Sequence, residues 1–310
     1  MSRHVMKTSS AMLLGAAIAC LAWASPSRAD TPPADSDAPC PHADGITLVI
    51  EPYEPINTLE PVFNAIAQDL SGRLHCPVHM MITVSYSAEI EAMRSGHAEL
   101  GLFGPLGYVI AHKLAGAEAV AVLSTRLGGA GLYTASIVTR PATGIHDLAG
   151  LRGHSFAFSD PGSTSGHLLP AAALKNAGID PKQDLAARFA GTHTASFEAI
   201  RNGQVDAAEL NSETIADARA AGEYNAADYT VLWRSPPIPQ GPIAVAPGLP
   251  PAFRRKLVDA LMAVDVSHIR ANDVGTGTEP TTRLTPQTDA AYDGIRSLTP
   301  VIGLDMQGAQ

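Results

Sequence analysis

The chain predicts an α/β protein of two lobes joined by crossing strands, and three observations carry that prediction. Strand and helix patterns alternate along almost the whole sequence, as they do where helices cover parallel sheet. Residues 91–99 (EAMRSGHAE) resemble residues 198–206 (EAIRNGQVD), each a helix closed by Gly and followed at once by a strand. Two lobes of similar build give such an echo; chance reuse of a common helix-to-strand turn is the rival account. Finally, 310 residues that are 45% hydrophobic and 16% charged suit one or two domains with real cores and exclude disorder.

In order, β-branched and apolar runs at 46–51, 78–84 and 99–103 read as strands, and helical spacing at 59–70, 88–94 and 106–114 fills the intervals. Residues 119–123 and 133–138 are further strands. The alternation repeats with strands at 155–158, 187–190 and 205–210 and helices at 168–176, 195–201 and 213–221. Strands follow at 230–233 and 243–245, then an amphipathic helix at 252–266. The Gly-, Thr- and Pro-rich stretch 271–286 reads as loop. Residues 30–138 with 236–310 form the expected first lobe and 139–235 the second. The chain then crosses at least twice, which makes a hinged clamp.

Residues 1–29 read as a secretory signal peptide. Arg3 and Lys7 precede an apolar run, 11–23, too short to span a membrane, and Ser27-Arg28-Ala29 offers a cleavage site. A lipidation site at Cys20 is the weaker alternative, since the usual Leu three residues earlier is missing. The expected location is the periplasm. Cys40 and Cys76 then remain, just before the first and second strands. In an oxidising compartment an isolated pair points to a disulfide. A soft-metal or arsenite site on Cys76 is the other reading, disfavoured because ligands of open α/β sheets sit at the carboxyl ends of strands. With 30 acidic against 21 basic residues the net charge is −9, and without a basic stripe nucleic acid is not an expected partner. An anion site must then work through local donors.

Such donors occur in Asp160-Pro161-Gly162-Ser163-Thr164-Ser165-Gly166-His167, which lies where a strand turns into a helix. Unpaired backbone N–H groups and a partial positive charge meet three hydroxyls there, a receptor for a tetrahedral oxyanion. An N-cap with a tight turn uses the same residue types.

This run, followed by Leu169-Pro170, resembles the signature of the phosphonate/phosphite/phosphate-binding proteins of ABC transporters, the PhnD-like family. Other stretches agree in the family's order: Phe103-Gly104-Pro105 with Tyr108, residues 144–153 (GIHDLAGLRG), Ala190-Gly191-Thr192-His193, residues 202–207, residues 235–239 and 291–296 (AYDGIR). The resemblance spans most of the mature chain. It implies the type II periplasmic-binding-protein fold with its ligand between the lobes. It implies that Ser163, Thr164 and Ser165 grip ligand oxygens, that His193 reaches the same oxygens, and that Tyr86, Tyr108 and Tyr133 complete the cleft. Glu213 corresponds to a carboxylate that aminophosphonate binders set against the ligand ammonium. The family's second carboxylate follows an I-P-x-D-P pattern, and Gly241 stands in its place in Ile238-Pro239-Gln240-Gly241-Pro242. That departure favours a smaller oxyanion without an amine.

The expectation is a periplasmic solute-binding protein that captures phosphite, phosphate or a small phosphonate for an ABC permease of the inner membrane. The alternative is the extracytoplasmic ligand-binding partner of a membrane histidine kinase. The protein is expected to be a monomer without cofactor or metal. An enzyme is not expected: the central residue of Gly162-Ser163-Thr164-Ser165-Gly166 is Thr, so it is no nucleophile elbow, and no P-loop or His-Glu-x-x-His occurs.

Overall fold

A computed structural model describes residues 38–125, 131–266 and 281–304. The expected signal peptide, Cys20 and residues 271–280 of the expected loop lie outside the described residues. The elements in chain order are β1 (Ile46–Ile50), α1 (Ile56–Leu74), β2 (Val78–Ile82), α2 (Tyr86–Arg94), β3 (Leu100–Leu102), α3 (Pro105–Ala115), β4 (Glu118–Thr125), β5 (Leu132–Tyr133) and β6 (Ala135–Thr139). Then come β7 (Ser155–Phe158), α4 (Leu169–Asn176), β8 (Ala186–Phe189), α5 (His193–Arg201), β9 (Ala207–Asn211), α6 (Ser212–Ala220), β10 (Thr230–Arg234), β11 (Ile238–Pro239), β12 (Pro242–Val245), α7 (Pro251–Met262), β13 (Thr281–Pro286) and α8 (Asp293–Leu298).

Two mixed sheets organise the two lobes. The first has strand order β13-β4-β12-β3-β1-β2 and the second β10-β6-β9-β7-β8. β1 runs parallel to β2 and β3, and β7 parallel to β8 and β9. β12 joins β3 and β4 in antiparallel fashion, as β6 joins β9. Between the sheets, β5 and β11 form an antiparallel ribbon with Ile238 opposite Tyr133. The chain leaves the first sheet through β5 and returns through β11, so this ribbon is the hinge.

Two expectations change. The strand Ala135–Thr139, expected to end the first lobe, belongs to the second sheet, because the hinge precedes it. Residues 281–286, read as loop, form β13 at the edge of the first sheet. An edge position tolerates the terminal Pro286 that obscured the strand.

The first lobe buries Phe63, Leu70, Phe253 and Leu257 of α1 and α7 on one sheet face, and Tyr108, Val109 and Tyr292 on the other. Cys40 and Cys76 are joined by a disulfide, Cα–Cα 5.3 Å, tying the entry of β1 to that of β2. No helix among the described residues is long and apolar enough to cross a membrane.

What positions a site is a repeated local event. Helices start directly after strands at Ser85, Gly104, Thr192 and Asn211. Each start leaves backbone N–H groups unpaired unless a side chain caps them. Ser85, Thr192 and Asn211 cap their own helices, accepting from Ala88, Ala195 and Thr214 at 3.2, 3.0 and 2.7 Å.

Candidate functional site

After β7 the chain makes a turn at Asp160–Gly162. Asp160 accepts the Gly162 N–H at 2.7 Å. Ser163 then caps a single wide π-type turn, Thr164–Leu168, accepting the Gly166 N–H at 3.0 Å. Such wide turns recur at functional sites because they re-aim side chains that a regular helix would stack. Gly166 is obligatory: a Cβ there would sit 1.6 Å from Ser159 Oγ. Ser163, Thr164 and Ser165 are all buried.

His193 opens α5 and points its Nε2 at the same place, 3.3 Å from Ser163 Oγ and 3.4 Å from Ser165 Oγ. Its Nδ1 faces Glu209 Oε1 at 3.1 Å, and Glu209 is fully buried in the middle of β9. Burial disfavours the imidazolium, but Glu209, and behind it Glu54 and Glu213, outweigh that and push His193 up to about 9. At neutral pH the ring is a cation whose Nδ1–H is spent on Glu209 and whose Nε2–H faces the Ser163 and Ser165 hydroxyls at the cavity wall.

The first lobe closes over this wall. The Leu106 N–H, in the first turn of α3, donates to Thr164 Oγ1 at 2.8 Å. The His193 N–H donates to the Tyr53 carbonyl at 3.2 Å, and Thr214 donates to Glu54 at 3.2 Å. Between the lobes lies a cavity of about 60 Å³. One water needs roughly 10–15 Å³ by that measure, so the space suits a compact polyatomic ion.

Seven of the eight residues proposed from the sequence line it: Ser163, Thr164, Ser165, His193, Tyr86, Tyr133 and Glu213. Tyr108 does not. It sits in the first-lobe core against Tyr292 at 4.8 Å, donates to Asp289 at 3.0 Å and accepts the Ala119 N–H at 3.3 Å. Position 108 lies a full turn into α3, on the face that packs on α8 rather than the face that meets the cleft. Glu213 accepts from Gln240 at 2.5 Å, and burial pushes its carboxyl up to about 8.

Glu51, Tyr53, Gln240 and the anchoring Glu209 were not read from the sequence as site residues. Glu51 and Tyr53 follow the carboxyl end of β1, where ligands of such sheets collect, and that placement was the available signal. Glu209 is a lone charge in a strand otherwise apolar up to its capping Asn211. Gly241 also lines the cavity. A Cβ there would sit 1.9 Å from the Phe103 carbonyl oxygen, so no side chain fits at this position as the strands stand.

The fold and the enclosed polar cavity define a two-lobed solute-binding protein. The comparisons with known proteins agree. The family model described as the periplasmic substrate-binding protein of ABC phosphonate transporters matches residues 48–292. The phosphate-import protein PhnD of Mycolicibacterium smegmatis is 29% identical over 278 residues, which cover 83% of this chain and 86% of that protein. The phosphonates-binding periplasmic protein of Escherichia coli is 26% identical over 207 residues, 66% of this chain and 61% of that one. Among solved structures, a phosphonate-transporter binding protein of Pseudomonas aeruginosa superposes with a TM-score of 0.72 at 22% identity, covering 82% and 85% of the two chains. A PhnD-type protein of Prochlorococcus marinus in complex with methylphosphonate gives 0.72 at 19% identity, covering 84% and 98%.

The chain therefore belongs to the family of periplasmic substrate-binding proteins of ABC phosphonate transporters. Members of this family are solute-binding components, not enzymes: they hold a small ligand and work with a permease in the inner membrane.

Proposed function

We propose that this protein captures a small, amine-free phosphorus oxyanion, phosphate, phosphite or a short alkylphosphonate, for delivery to its permease. The observation that carries the reading is the convergence of the Ser163 and Ser165 hydroxyls with the charged His193 Nε2 on one small enclosed space. Thr164 uses its oxygen to accept from Leu106, which leaves its hydrogen for a ligand. Tyr86 and Tyr133 supply neutral hydroxyls that burial keeps protonated. Neutral donors are cheaper to desolvate than lysines or arginines, so an acidic protein can hold an anion here.

Hydrogen bonds to a charged group contribute about 1.5–3 kcal/mol each. Four or five suffice for micromolar binding after association costs of several kcal/mol. The paired carboxylates that would hold a ligand ammonium are not both here: Gly241 stands in place of one, and Glu213 is engaged by Gln240.

Calorimetry with phosphate, phosphite, methylphosphonate, 2-aminoethylphosphonate and sulfate tests this. Micromolar or tighter binding of at least one amine-free phosphorus oxyanion is expected. No heat with any phosphorus oxyanion defeats the reading.

A further inference from the structure

The cavity holds a group that its proposed role as an anion receptor does not predict. Glu51, at the carboxyl end of β1, lines the space and is only 4% exposed. Its Oε2 has no hydrogen-bond partner among the described residues. Its place is kept open by two glycines at the start of α3, the N-cap Gly104 and Gly107 of the first turn. A Cβ on Gly104 would lie 2.7 Å from Oε1, and one on Gly107 would lie 3.1 Å from Oε2. Among the described residues no Lys or Arg lines the cavity, and its one cation, His193, is engaged by Glu209. A bare carboxylate facing a bound anion would repel it in a medium of low dielectric.

We propose that Glu51 is a specificity-determining residue that meets the bound oxyanion as a carboxylic acid, sharing one proton with a ligand oxygen. The inference rests on the phosphorus-oxyanion reading of the cavity and deepens it. No bond other than the hydrogen bond forms. Whether the proton arrives on the ligand or on Glu51, the complex holds one more proton than the two ionised partners.

The surroundings favour the acid. Burial pushes Glu51 up to about 8, and the Asp160 carboxylate adds to the rise; the Gly104 N–H, the His193 cation and the Tyr86 hydroxyl oppose it without cancelling it. The groups facing it are few. α2 brings Tyr86 and Glu89, and Glu89 is itself pushed well up by burial and by Glu51. β5 brings Tyr133, the segment after β1 brings Tyr53, the turn after β7 brings Asp160 and α5 brings His193. Glu213 of α6 lines the same cavity and is likewise raised to about 8.

The test compares the wild-type protein with Glu51→Gln, which keeps a donor of the same shape but cannot ionise. Calorimetry with phosphite and methylphosphonate, whose dianions carry no O–H, runs from pH 6 to pH 9.5. Titration of the ligand, of His193 and of Glu213 affects both proteins, so the ratio of their affinities isolates Glu51. Between pH 6 and pH 9.5 the ratio of the two affinities should shift at least tenfold in favour of the Gln variant. Parallel pH profiles overturn the proposal. So does a loss of more than tenfold in the Gln variant at pH 6, or a wild-type preference for 2-aminoethylphosphonate that the variant abolishes. Either of those makes Glu51 a carboxylate acceptor or a counter-ion.

A second measurement needs no variant. Wild-type binding of methylphosphonate at pH 8.5 in two buffers of different ionisation enthalpy should show net proton uptake; none overturns the proposal. If the wild type binds no phosphorus oxyanion at any pH, the functional reading itself has failed, which is a distinct result.

Discussion

The two walls of the cavity are built by different physics. The second-lobe wall is a set of donors fixed before any ligand arrives: Ser163 held by the Gly166 N–H, His193 held by Glu209, all on the starts of regular elements. The first-lobe wall is acidic and aromatic, with Glu51, Tyr53 and Tyr86, and some of its polar atoms are buried without partners among the described residues. One side is preorganised at its own expense, and the other is completed by what it closes upon. The comparison teaches that affinity should reside mainly in the second lobe and selectivity mainly in the first.

His193→Ala should break this picture most severely. It removes the cavity's cation and leaves Glu209 buried without its partner. Affinity should fall more than about a hundredfold, and stability by about 3–5 kcal/mol, read by calorimetry and thermal melting. An affinity within tenfold of wild type would remove the second-lobe wall from ligand binding.

The pH dependence of the unliganded protein comes next. His193 is raised above its ordinary value, so its contribution is complete below about 6.5 and disappears as pH climbs through about 9. Glu51 and Glu213 are raised from 4.5 to about 8, so the native state holds protons that the unfolded chain has released across that interval. Both effects have the same sign. The melting midpoint should fall steadily from pH 5 to pH 9; a flat or rising curve would show that these groups ionise normally in the folded protein.

Thr164→Ala sharpens the comparison, since this hydroxyl belongs to one wall and is engaged by the other. Binding should weaken by about 1–3 kcal/mol, with a smaller change in stability. Unchanged affinity would reduce the Ser163–Ser165 run to a helix start. Tyr108→Phe is the smallest effect: about 1 kcal/mol of stability from the lost bond to Asp289, and no change in affinity. A binding defect there would return Tyr108 to the cleft.

These residues also mark what the sequence could disclose. The Ser163–Ser165 run was legible because its geometry is local: hydroxyls, glycines and a strand-to-helix junction within eight positions. The alternation of elements gave the α/β class, and the echo between residues 91–99 and 198–206 pointed to two lobes. Tyr108 was misassigned because its partners, Asp289 and Tyr292, lie more than 180 positions away, and only packing decides which face of α3 they cover. Strand β13 was missed because Thr and Pro read as loop, and only its pairing with β4 makes it a strand. Glu51 stayed hidden because a carboxylate beside the proposed anion contradicts charge logic until burial is known.

The bond from the Leu106 amide to Thr164 carries a kinetic corollary. A hydroxyl owns a single hydrogen, and here its oxygen is held by the opposite lobe, which leaves that hydrogen for the proposed ligand. Prising the two helix starts apart would release the hydroxyl to rotate and loosen its hold on the cargo in one movement. Retention time should then track how long the jaws stay shut, and a permease that spreads them would unload the protein without touching what it carries.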